Sequence, residues 1–295
     1  MSDASARAER PVFAVVGPGA VGGLFAWLLH RAGHEVVAVA RPGTAEAIAR
    51  DGIEVQSGEF GDGVQRVPAA ETVPRGASVL LTTKVYGLGD VLPQIADAHP
   101  TEVVSFLNGV EHMDAVRRAL PGVPVAGASV TVSALRVAPT VIEHRSPFLR
   151  VEVPDTAAGY ASVSALRAAG PELRGGGTEA EVLWRKFRLL ASLALLTSYW
   201  RQPASSAVSE DPELTEAVVS EVVACSEAQG VPASSLHLVR ALHSVPGGMR
   251  TSLQEDLAAG APSELDALGG ALLRIGESHG IPMPAVSRIV TALGS

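Results

Sequence analysis

Three closely spaced glycines suggest a turn that binds phosphate groups. The run Gly17-Pro-Gly19-Ala-Val-Gly22 follows a β-rich segment at residues 12–16 and opens an apolar stretch at residues 24–29. Between a strand and a helix, the first glycine permits a tight turn, the second lets a pyrophosphate approach the backbone, and the third packs the helix against the sheet. The helix N-terminus adds N–H groups and a positive dipole end. We therefore predict that a dinucleotide binds to Gly17, Pro18, Gly19, Ala20, Val21 and Gly22; the alternative is a glycine-rich turn that binds nothing.

The residue after the second predicted strand bears on which dinucleotide binds. Enzymes that use NAD usually place Asp or Glu about 20 residues beyond the glycines, where the carboxylate holds the ribose 2′-hydroxyl. Here the strand at residues 35–40 is followed by Arg41. A guanidinium can bind a 2′-phosphate through a charge-assisted fork, so Arg41 favours NADP(H) over NAD(H). The alternative is a solvated surface arginine before a Pro-Gly turn.

Short apolar strands that alternate with helical stretches predict an N-terminal Rossmann domain of the α/β class, with a mostly parallel, doubly wound sheet. The strands are expected at residues 12–16, 35–40, 78–82, 102–106 and 123–125. An antiparallel strand pair at residues 137–153, turning at residues 144–147, is expected to close the far edge of the sheet. Lys84 and Asn108 follow the third and fourth strands. Ligands of doubly wound sheets bind at such strand ends, although an end-of-strand Lys or Asn-Gly can also serve turn chemistry alone.

The C-terminal part of the chain is predicted to be all-α. From the glycine run at residues 175–177 onward the β signal disappears. Asp211 and Pro212 indicate a helix start, and Gly230 and Pro232 indicate its end. A further helix is expected from near Pro262 to Gly280. The predicted organisation is a flexible tail at residues 1–10, an NADP-binding Rossmann domain at 11–176, and a helical substrate and catalytic domain at 177–295.

Composition excludes several classes of protein. With 295 residues, 47% hydrophobic and 18% charged, the chain suits a globular enzyme of two domains. Its net charge of −8 gives no footprint for nucleic acid or an anionic membrane. Cys225 is the only cysteine, so we expect neither an internal disulfide nor a metal site, and we predict a cytoplasmic protein. The apolar run at residues 189–200 is too short for a membrane span and predicts a buried helix.

The sequence resembles the ketopantoate (2-dehydropantoate) reductase family over nearly its whole length. The marks that carry the resemblance are Gly17 to Gly22, Arg41, Thr82-Thr-Lys84, Asn108-Gly-Val110, Trp184-Arg-Lys186, Ser252 within residues 251–256, and Glu264 within Ser263-Glu-Leu-Asp266. Each tripeptide is weak evidence alone, but their order and spacing together are specific.

The resemblance implies a role for each of these residues in reducing a 2-keto acid with NADP(H). Lys84 and Asn108 would line the cofactor near its ribose and nicotinamide, with Asn108 also near the substrate. Lys186 would act as general acid, because an ammonium can protonate the carbonyl oxygen and stabilise the developing alkoxide. Glu264 would border the substrate and help to place the lysine, while Ser252 would contact the substrate.

These catalytic and substrate-binding roles have structural alternatives. Lys186 could belong to a solvated basic first turn of a helix. Glu264 could serve only to cap a helix N-terminus, and Ser252 could be a solvated loop residue.

One departure from the family pattern concerns the substrate. The family's lysine helix carries Asn four and eight residues after the lysine, on the same helix face. Here those two substrate-lining positions are Leu190 and Ala194. We therefore expect a pocket wall that favours a more apolar keto substrate than ketopantoate, although ketopantoate remains the leading candidate.

The sequence also bears on three other classes of protein. A short-chain dehydrogenase is excluded because no tyrosine is followed by lysine four residues later, and a P-loop kinase because no Gly-Lys-Ser/Thr follows the glycines. A noncatalytic NADP(H)-binding regulator stays open, since the two Asn positions are lost. The expected partner is a small keto substrate, and the helical domain is where a homodimer contact would lie.

Overall fold

The structure is a computed structural model that describes residues 11–294. The predicted tail at residues 1–10 lies outside the described residues. The described chain forms two compact units. Unit 1 comprises residues 11–83, 87–106 and 116–175, and unit 2 comprises residues 84–86, 107–115 and 176–294. The main boundary between the units falls next to the predicted one at residue 176. In addition, two short segments, 84–86 and 107–115, lie before that boundary in sequence but belong to unit 2.

Unit 1 contains a six-stranded sheet in which every pair of neighbours is parallel, with the order β5-β2-β1-β6-β7-β8. Its strands are β1 Val12–Val16, β2 Glu35–Val39, β5 Ala69–Ala70, β6 Ser78–Leu81, β7 Glu102–Ser105 and β8 Val125–Gly127. The helices along this part of the chain are α1 Ala20–Arg31, α2 Pro42–Asp51, α3 Leu88–Asp97, α4 His112–Ala119 and α5 Ala161–Ala169. The predicted Rossmann-like α/β fold is confirmed, because all five predicted strands form within two residues of the expected bounds.

The prediction for residues 137–153 is wrong. The strands of this region belong to two smaller sheets, in which they pair with strands from other parts of the chain. The strand orders are β10-β11-β3-β4 and β13-β12-β9. The strands are β3 Ile53–Ser57, β4 Gly63–Gln65, β9 Ser129–Thr131, β10 Ala134–Ala138, β11 Val141–His144, β12 Arg150–Val153 and β13 Glu172–Gly175. The strands β11 and β12 do not pair with each other. The residue expected to start their turn, His144, is buried and bonds to Ser57 of β3 through Nδ1 and Oγ at 2.8 Å, which ties β11 to a strand far away in the sequence.

Helix α1 is buried around most of its circumference because it contacts both the six-stranded and the four-stranded sheet. Residues 22–29 are all buried. Burial on all sides explains why this segment is nearly free of charge without being a membrane span. Its side chains form the centre of the unit 1 core together with Phe13 and Val15 of β1 and Ile142 of β11.

Unit 2 is helical, and no strand lies after residue 175 in the part of the chain that the structure describes. Its helices are α6 Glu179–Trp200, α7 Ala204–Glu210, α8 Pro212–Ala228, α9 Ser235–His243, α10 Ser252–Ala258, a π-helical turn Asp266–Gly270, α11 Ala271–His279 and α12 Pro284–Leu293. The Asp211 side chain accepts a hydrogen bond from Leu214 N–H at 3.0 Å, which confirms the predicted start of α8. The helix predicted from Pro262 begins three residues later, at Leu265.

Helix α6 is the centre of unit 2. It starts at a capping box, in which the Thr178 hydroxyl accepts from the Glu181 N–H and the Glu181 carboxylate accepts from the Thr178 N–H. Its apolar residues pack against α7, α8, α10 and α12, so the predicted buried helix at residues 189–200 is confirmed. Within residues 11–294, no helix is both long and apolar enough to cross a membrane.

Candidate functional site

The glycine turn of unit 1 is locked to the end of the neighbouring strand β6. Gly17 has a φ of +88°, which favours glycine, and its N–H donates to Val39 O at 3.0 Å. The Thr82 hydroxyl donates to Val16 O at 3.0 Å and to Gly17 O at 2.9 Å. A Cβ on Gly22 would overlap Thr82 Oγ1 and lie 2.5 Å from Gly17 O. The turn therefore needs glycine at both ends whether or not a ligand binds, at Gly17 for its backbone conformation and at Gly22 for packing.

Gly19, in the middle of the turn, has a different environment. A Cβ there would meet only Gly17 O, at 4.0 Å, so the space above it is open. Gly19 is also the N-cap of α1, and neither a capping side chain nor an acidic residue occupies the first turn of that helix. Pro18 is buried and Val21 packs against the core, which leaves backbone groups to face the opening. An open backbone beside an uncapped helix N-terminus fits the pyrophosphate of a dinucleotide.

Arg41 stands two residues beyond the end of β2, as the N-cap of α2. The strand β2 pairs with β1 through Val39 and Val16, the last residue before the glycine turn. The Arg41 side chain is exposed and has no hydrogen bond or ion pair among the described residues. Its guanidinium is therefore available for an external anion.

Unit 2 brings four of the predicted residues together in one polar cluster. The Lys186 ammonium donates to Asn108 Oδ1 at 2.9 Å, and Asn108 Nδ2 donates to Glu264 Oε2 at 3.0 Å. Lys84 Nζ lies 3.4 Å from the same Glu264 oxygen, and the Val85 N–H donates to Glu264 Oε1 at 3.3 Å. Glu264 is the buried hub of this cluster, with only 5% of its surface exposed. Glu264 and Lys186 are linked through Asn108, and the two charged groups do not hydrogen-bond to each other directly.

The two lysines of the cluster have opposite shifts in pKa. Burial lowers the pKa of Lys186 to about 8, and the nearby charge of Glu264 offsets only part of that effect. Lys84 is also subject to burial, which lowers its pKa, but Glu264 and Asp256 together raise it above the usual value for lysine. Lys186 can therefore lose its proton as the pH rises through about 8, whereas Lys84 remains a cation. An ammonium with a lowered pKa and one with a raised pKa thus lie on either side of one carboxylate.

The predicted substrate-lining residues lie on α6 and α10. Leu190 is partly buried and Ala194 is fully buried, and both share the Lys186 face of α6 by their spacing. Thr197 shares that face too, but its hydroxyl is already bonded to α6 carbonyls and to Thr251 Oγ1 at 2.9 Å. Ser252 is the exposed first residue of α10 and makes no side-chain hydrogen bond within residues 11–294.

Sequence reasoning missed Asp256 and Thr82 as parts of the site. Asp256 Oδ2 forms an ion pair with Lys84 Nζ at 3.4 Å, and Thr82 braces the glycine turn as described above. One signal in the sequence could have directed attention to the cluster. Lys84 and Lys186 are the only two lysines in a chain with 23 lysine and arginine residues, and both belong to it.

Comparison with known proteins gives matches along almost the whole chain. The family model described as ketopantoate reductase PanE/ApbA matches residues 13–157, and the model of the C-terminal part of that family matches residues 180–295. A 2-dehydropantoate 2-reductase from Caulobacter vibrioides is 31% identical, covering 96% of this chain and 98% of the relative.

Two solved structures with this fold are named as different enzymes. A ketopantoate reductase of the PanE/ApbA family from Ralstonia eutropha JMP134 superimposes with a TM-score of 0.87 at 28% identity, covering 96% of this chain and 97% of that one. D-mandelate dehydrogenase, solved with NADH and anilino(oxo)acetate, has a TM-score of 0.86 at 19% identity, with the same coverage. The second likeness shows the fold alone.

Proposed function

The chain belongs to the ketopantoate reductase family, and from that membership we propose that it uses NADPH to reduce a 2-keto acid to the 2-hydroxy acid. Its class is that of an oxidoreductase acting on a CH–OH/C=O group with a nicotinamide cofactor. The observation that carries the proposal is the Lys186–Asn108–Glu264 chain of hydrogen bonds.

In the proposed reaction Lys186 is the general acid. A bound, reduced nicotinamide supplies the hydride that adds to the carbonyl carbon. The Lys186 ammonium gives its proton to the carbonyl oxygen as negative charge develops there, and before transfer it stabilises that charge. A pKa of about 8 suits this role, because a donor works best when its pKa lies near the working pH.

Asn108 and Glu264 hold the donor in place. The Asn108 amide accepts from Lys186 through Oδ1 and donates to Glu264 through Nδ2, so its orientation is set by both partners. Glu264 in turn accepts from the Val85 backbone. We propose that this arrangement fixes the direction of the ammonium, and that Ser252 and Lys84 contribute to binding of the substrate and cofactor, respectively.

The preference for NADPH is proposed from Arg41. Its exposed side chain, which has no partner among residues 11–294, follows the strand next to the glycine turn. A 2′-phosphate would give that guanidinium a charge-assisted hydrogen bond, worth roughly 1.5–3 kcal/mol. NADH has no such group. D-mandelate dehydrogenase was solved with NADH, so the fold alone does not determine a preference for NADPH over NADH.

A second candidate is the reduction of a more apolar 2-keto acid than ketopantoate. It is favoured by Leu190 and Ala194, which give the Lys186 face of α6 no hydrogen-bonding side chain at either position. Thr197 does not replace them, because its hydroxyl is held by α6 carbonyls and Thr251. Burying a substrate hydroxyl without a partner costs roughly 1–3 kcal/mol, or about 5- to 150-fold in specificity.

A turnover assay tests the function. Purified protein is mixed with NADPH or NADH and a panel of 2-keto acids that includes ketopantoate, its analogue without the 4-hydroxyl, and phenylglyoxylate. We expect loss of nicotinamide absorbance, faster with NADPH. Cofactor binding without turnover of any 2-keto acid would contradict the proposal and favour a noncatalytic regulator.

The same assay with a double variant distinguishes the two substrate candidates. Leu190→Asn/Ala194→Asn restores the two amides, so we expect kcat/KM for ketopantoate to rise about 5- to 150-fold relative to the 4-deoxy analogue. Leu190→Met with Ala194 unchanged is the matched apolar control and should not move that ratio. A wild type that already strongly prefers ketopantoate would refute the apolar candidate.

Two further expectations belong to this proposal. We propose that the enzyme works in the cytoplasm and that any homodimer forms through helical unit 2. Sedimentation of the purified chain measures the oligomeric state, and fractionation of the source cells measures the location.

A further inference from the structure

We propose that Asp256 is a positioning residue, which neutralises Lys84 and so leaves the Glu264 carboxylate to hold Asn108 and Lys186. The proposal deepens the proposed function, because it concerns what keeps the proton donor of that reaction in its charged form. It assigns a role to a carboxylate on α10 that neither contacts Lys186 nor lies on its helix.

The contacts form a single line of five groups within unit 2. Asp256 Oδ2 lies 3.4 Å from Lys84 Nζ, which lies 3.4 Å from Glu264 Oε2. That same Glu264 oxygen accepts from Asn108 Nδ2 at 3.0 Å, and Asn108 Oδ1 accepts from Lys186 Nζ at 2.9 Å. Glu264 Oε2 therefore contacts both Lys84 and the Asn108 amide, and that amide accepts the hydrogen bond from Lys186.

The line contains equal numbers of positive and negative side chains. Two ammonium groups, Lys84 and Lys186, alternate with two carboxylates, Asp256 and Glu264. The side chain of Glu264 is 4% exposed and that of Asp256 is 29% exposed, so Asp256 is the outer carboxylate. Removing its charge leaves one buried carboxylate between two cations. Glu264 would then be drawn toward Lys84, and the ammonium form of Lys186 would lose part of its stabilisation.

Among residues 11–294, no other charged group takes the place of Asp256 in this arrangement. Glu264 is the charge that acts on the Lys186 ammonium, and the two carboxylates Glu264 and Asp256 are those that act on Lys84. Arg185, the neighbour of Lys186 on α6, donates to Gly176 O at 3.1 Å. Glu255, the neighbour of Asp256 on α10, is exposed.

The position of Asp256 is fixed by the packing of α10 on α6. Thr251 is the N-cap of α10, and its hydroxyl accepts from the Gln254 N–H at 3.3 Å. The same hydroxyl bonds to Thr197 of α6 at 2.9 Å, with both residues buried. Asp256 lies five residues after this anchor, which holds its helix beside the one that carries Lys186.

The small number of lysines allows a direct test without substrate or cofactor. Full-length protein labelled with 13C at the lysine ε-carbon should give two signals, one from each lysine, assigned with Lys84→Met. Titration of the wild type should show a midpoint near 8 for Lys186. In Asp256→Asn we expect that midpoint to fall by about half to one pH unit, a three- to tenfold change in the acid dissociation constant.

Two controls separate charge from other effects of substitution. Asp256→Glu keeps the charge and should return the Lys186 midpoint to within a few tenths of a unit of the wild-type value. Glu255→Gln removes a charge from the neighbouring position on the same helix, where it faces solvent, and should leave the midpoint unchanged. A midpoint that falls equally in Asp256→Asn and Glu255→Gln would overturn the proposal.

A double-variant cycle tests the route through Lys84. Lys84→Met alone removes the competitor for Glu264, so the Lys186 midpoint should rise, and this variant gives a result even if Asp256→Asn folds poorly. Adding Asp256→Asn to Lys84→Met should then have little further effect. An equal shift in both backgrounds, or no shift in any variant, would show that Asp256 does not act in this way.

The outcome is separable from that of the proposed function. The lysine signals are read without any reaction, so a failed substrate screen leaves the test of Asp256 intact. Where turnover is found, the alkaline limb of kcat/KM in Asp256→Asn should move to lower pH by the same amount as the Lys186 midpoint. A shift of the midpoint without a shift of that limb would contradict Lys186 as the proton donor and leave the positioning role in place.

Discussion

Lys84 and Lys186 carry the same ammonium group in very different surroundings. Lys186 is half-buried, and that burial lowers its pKa to about 8. Lys84 is paired with two carboxylates, and its pKa is raised. An arginine could replace the second as a permanent cation but not the first, because a guanidinium does not lose its proton at ordinary pH. In a chain that otherwise uses arginine for its basic residues, the lysine at position 186 is consistent with proton transfer.

The first prediction concerns removal of Lys186, the proposed proton donor. Lys186→Ala should lower kcat by about 10²- to 10⁴-fold, the range expected for loss of a general acid. NADPH binding, measured by calorimetry, should survive, because the glycine turn and Arg41 are untouched. Lys186→Arg is the matched control: it keeps the positive charge and should remain strongly impaired. Near-normal turnover in either variant would rule out the assigned role.

The second prediction is the pH dependence of reduction. In the proposed reaction the ammonium form of Lys186 is the active one, and it predominates below a pKa of about 8. As pH rises through that value the free amine accumulates, so kcat/KM should fall about tenfold for each further pH unit. The measurement is the pH profile of the reduction with saturating NADPH. An alkaline limb that begins only near the ordinary pKa of lysine would contradict the lowered value.

At the scale of elements, the glycines of the turn differ in what requires them. The sequence motif alone does not distinguish a glycine needed for packing from one that leaves the backbone open. Gly22 is needed for packing, because Thr82 and the Gly17 carbonyl fill the space where a Cβ would lie. Gly19 has open space around the position of a Cβ, so packing does not require glycine there, and the missing side chain leaves the backbone accessible. Thr82 joins β1 and β6 at this point through its hydroxyl.

The third prediction compares alanine at these two glycines. Gly19→Ala should fold with nearly wild-type stability but bind NADPH at least tenfold more weakly, since a methyl group would occupy the approach to the backbone. Gly22→Ala should instead lower the denaturant midpoint of unfolding, because overpacking in a closely fitted site costs about 1–3 kcal/mol. Urea unfolding and cofactor titration of both variants make the comparison. Equal loss of stability in the two would refute the distinction.

At the scale of the whole molecule, each unit has its own hydrophobic core. The core of unit 1 forms around α1, and the core of unit 2 forms around α6. Two separate cores allow the two units to unfold at different temperatures. A ligand that binds only a folded unit raises the stability of that unit by mass action.

The fourth prediction uses this linkage to test Arg41. At an NADPH concentration about 100 times its Kd, the stabilisation should be about 2.7 kcal/mol. Arg41→Ala should weaken NADPH about tenfold or more, so that stabilisation at the same concentration should fall by about half. The effect of NADH on the melting temperature should be unchanged. Arg50→Ala, which removes an exposed arginine from the end of α2, is the control, and equal loss for both cofactors would contradict the NADPH assignment.

Features with local signals were determined by the sequence alone. The strand–glycine–helix order at residues 12–31 predicts β1, the turn and α1, because strand, turn and helix propensities are encoded in adjacent residues. The start of α8 at Asp211 and Pro212 was predicted for the same reason. Membership of the family also followed from short motifs in the right order, and the family models confirm it.

Only the tertiary structure decided which distant segments meet. Strand β11 pairs with β3 rather than with β12, and such pairing depends on the packing of whole sheets rather than on the nearest turn. Asn108 lies 78 residues from Lys186 and 156 from Glu264 along the chain, so no spacing rule could predict their hydrogen bonds. The lowered pKa of Lys186 and the pairing of Asp256 with Lys84 depend on burial and on distances of a few ångströms. Those quantities exist only after the chain has folded, because they arise from groups that the sequence keeps far apart.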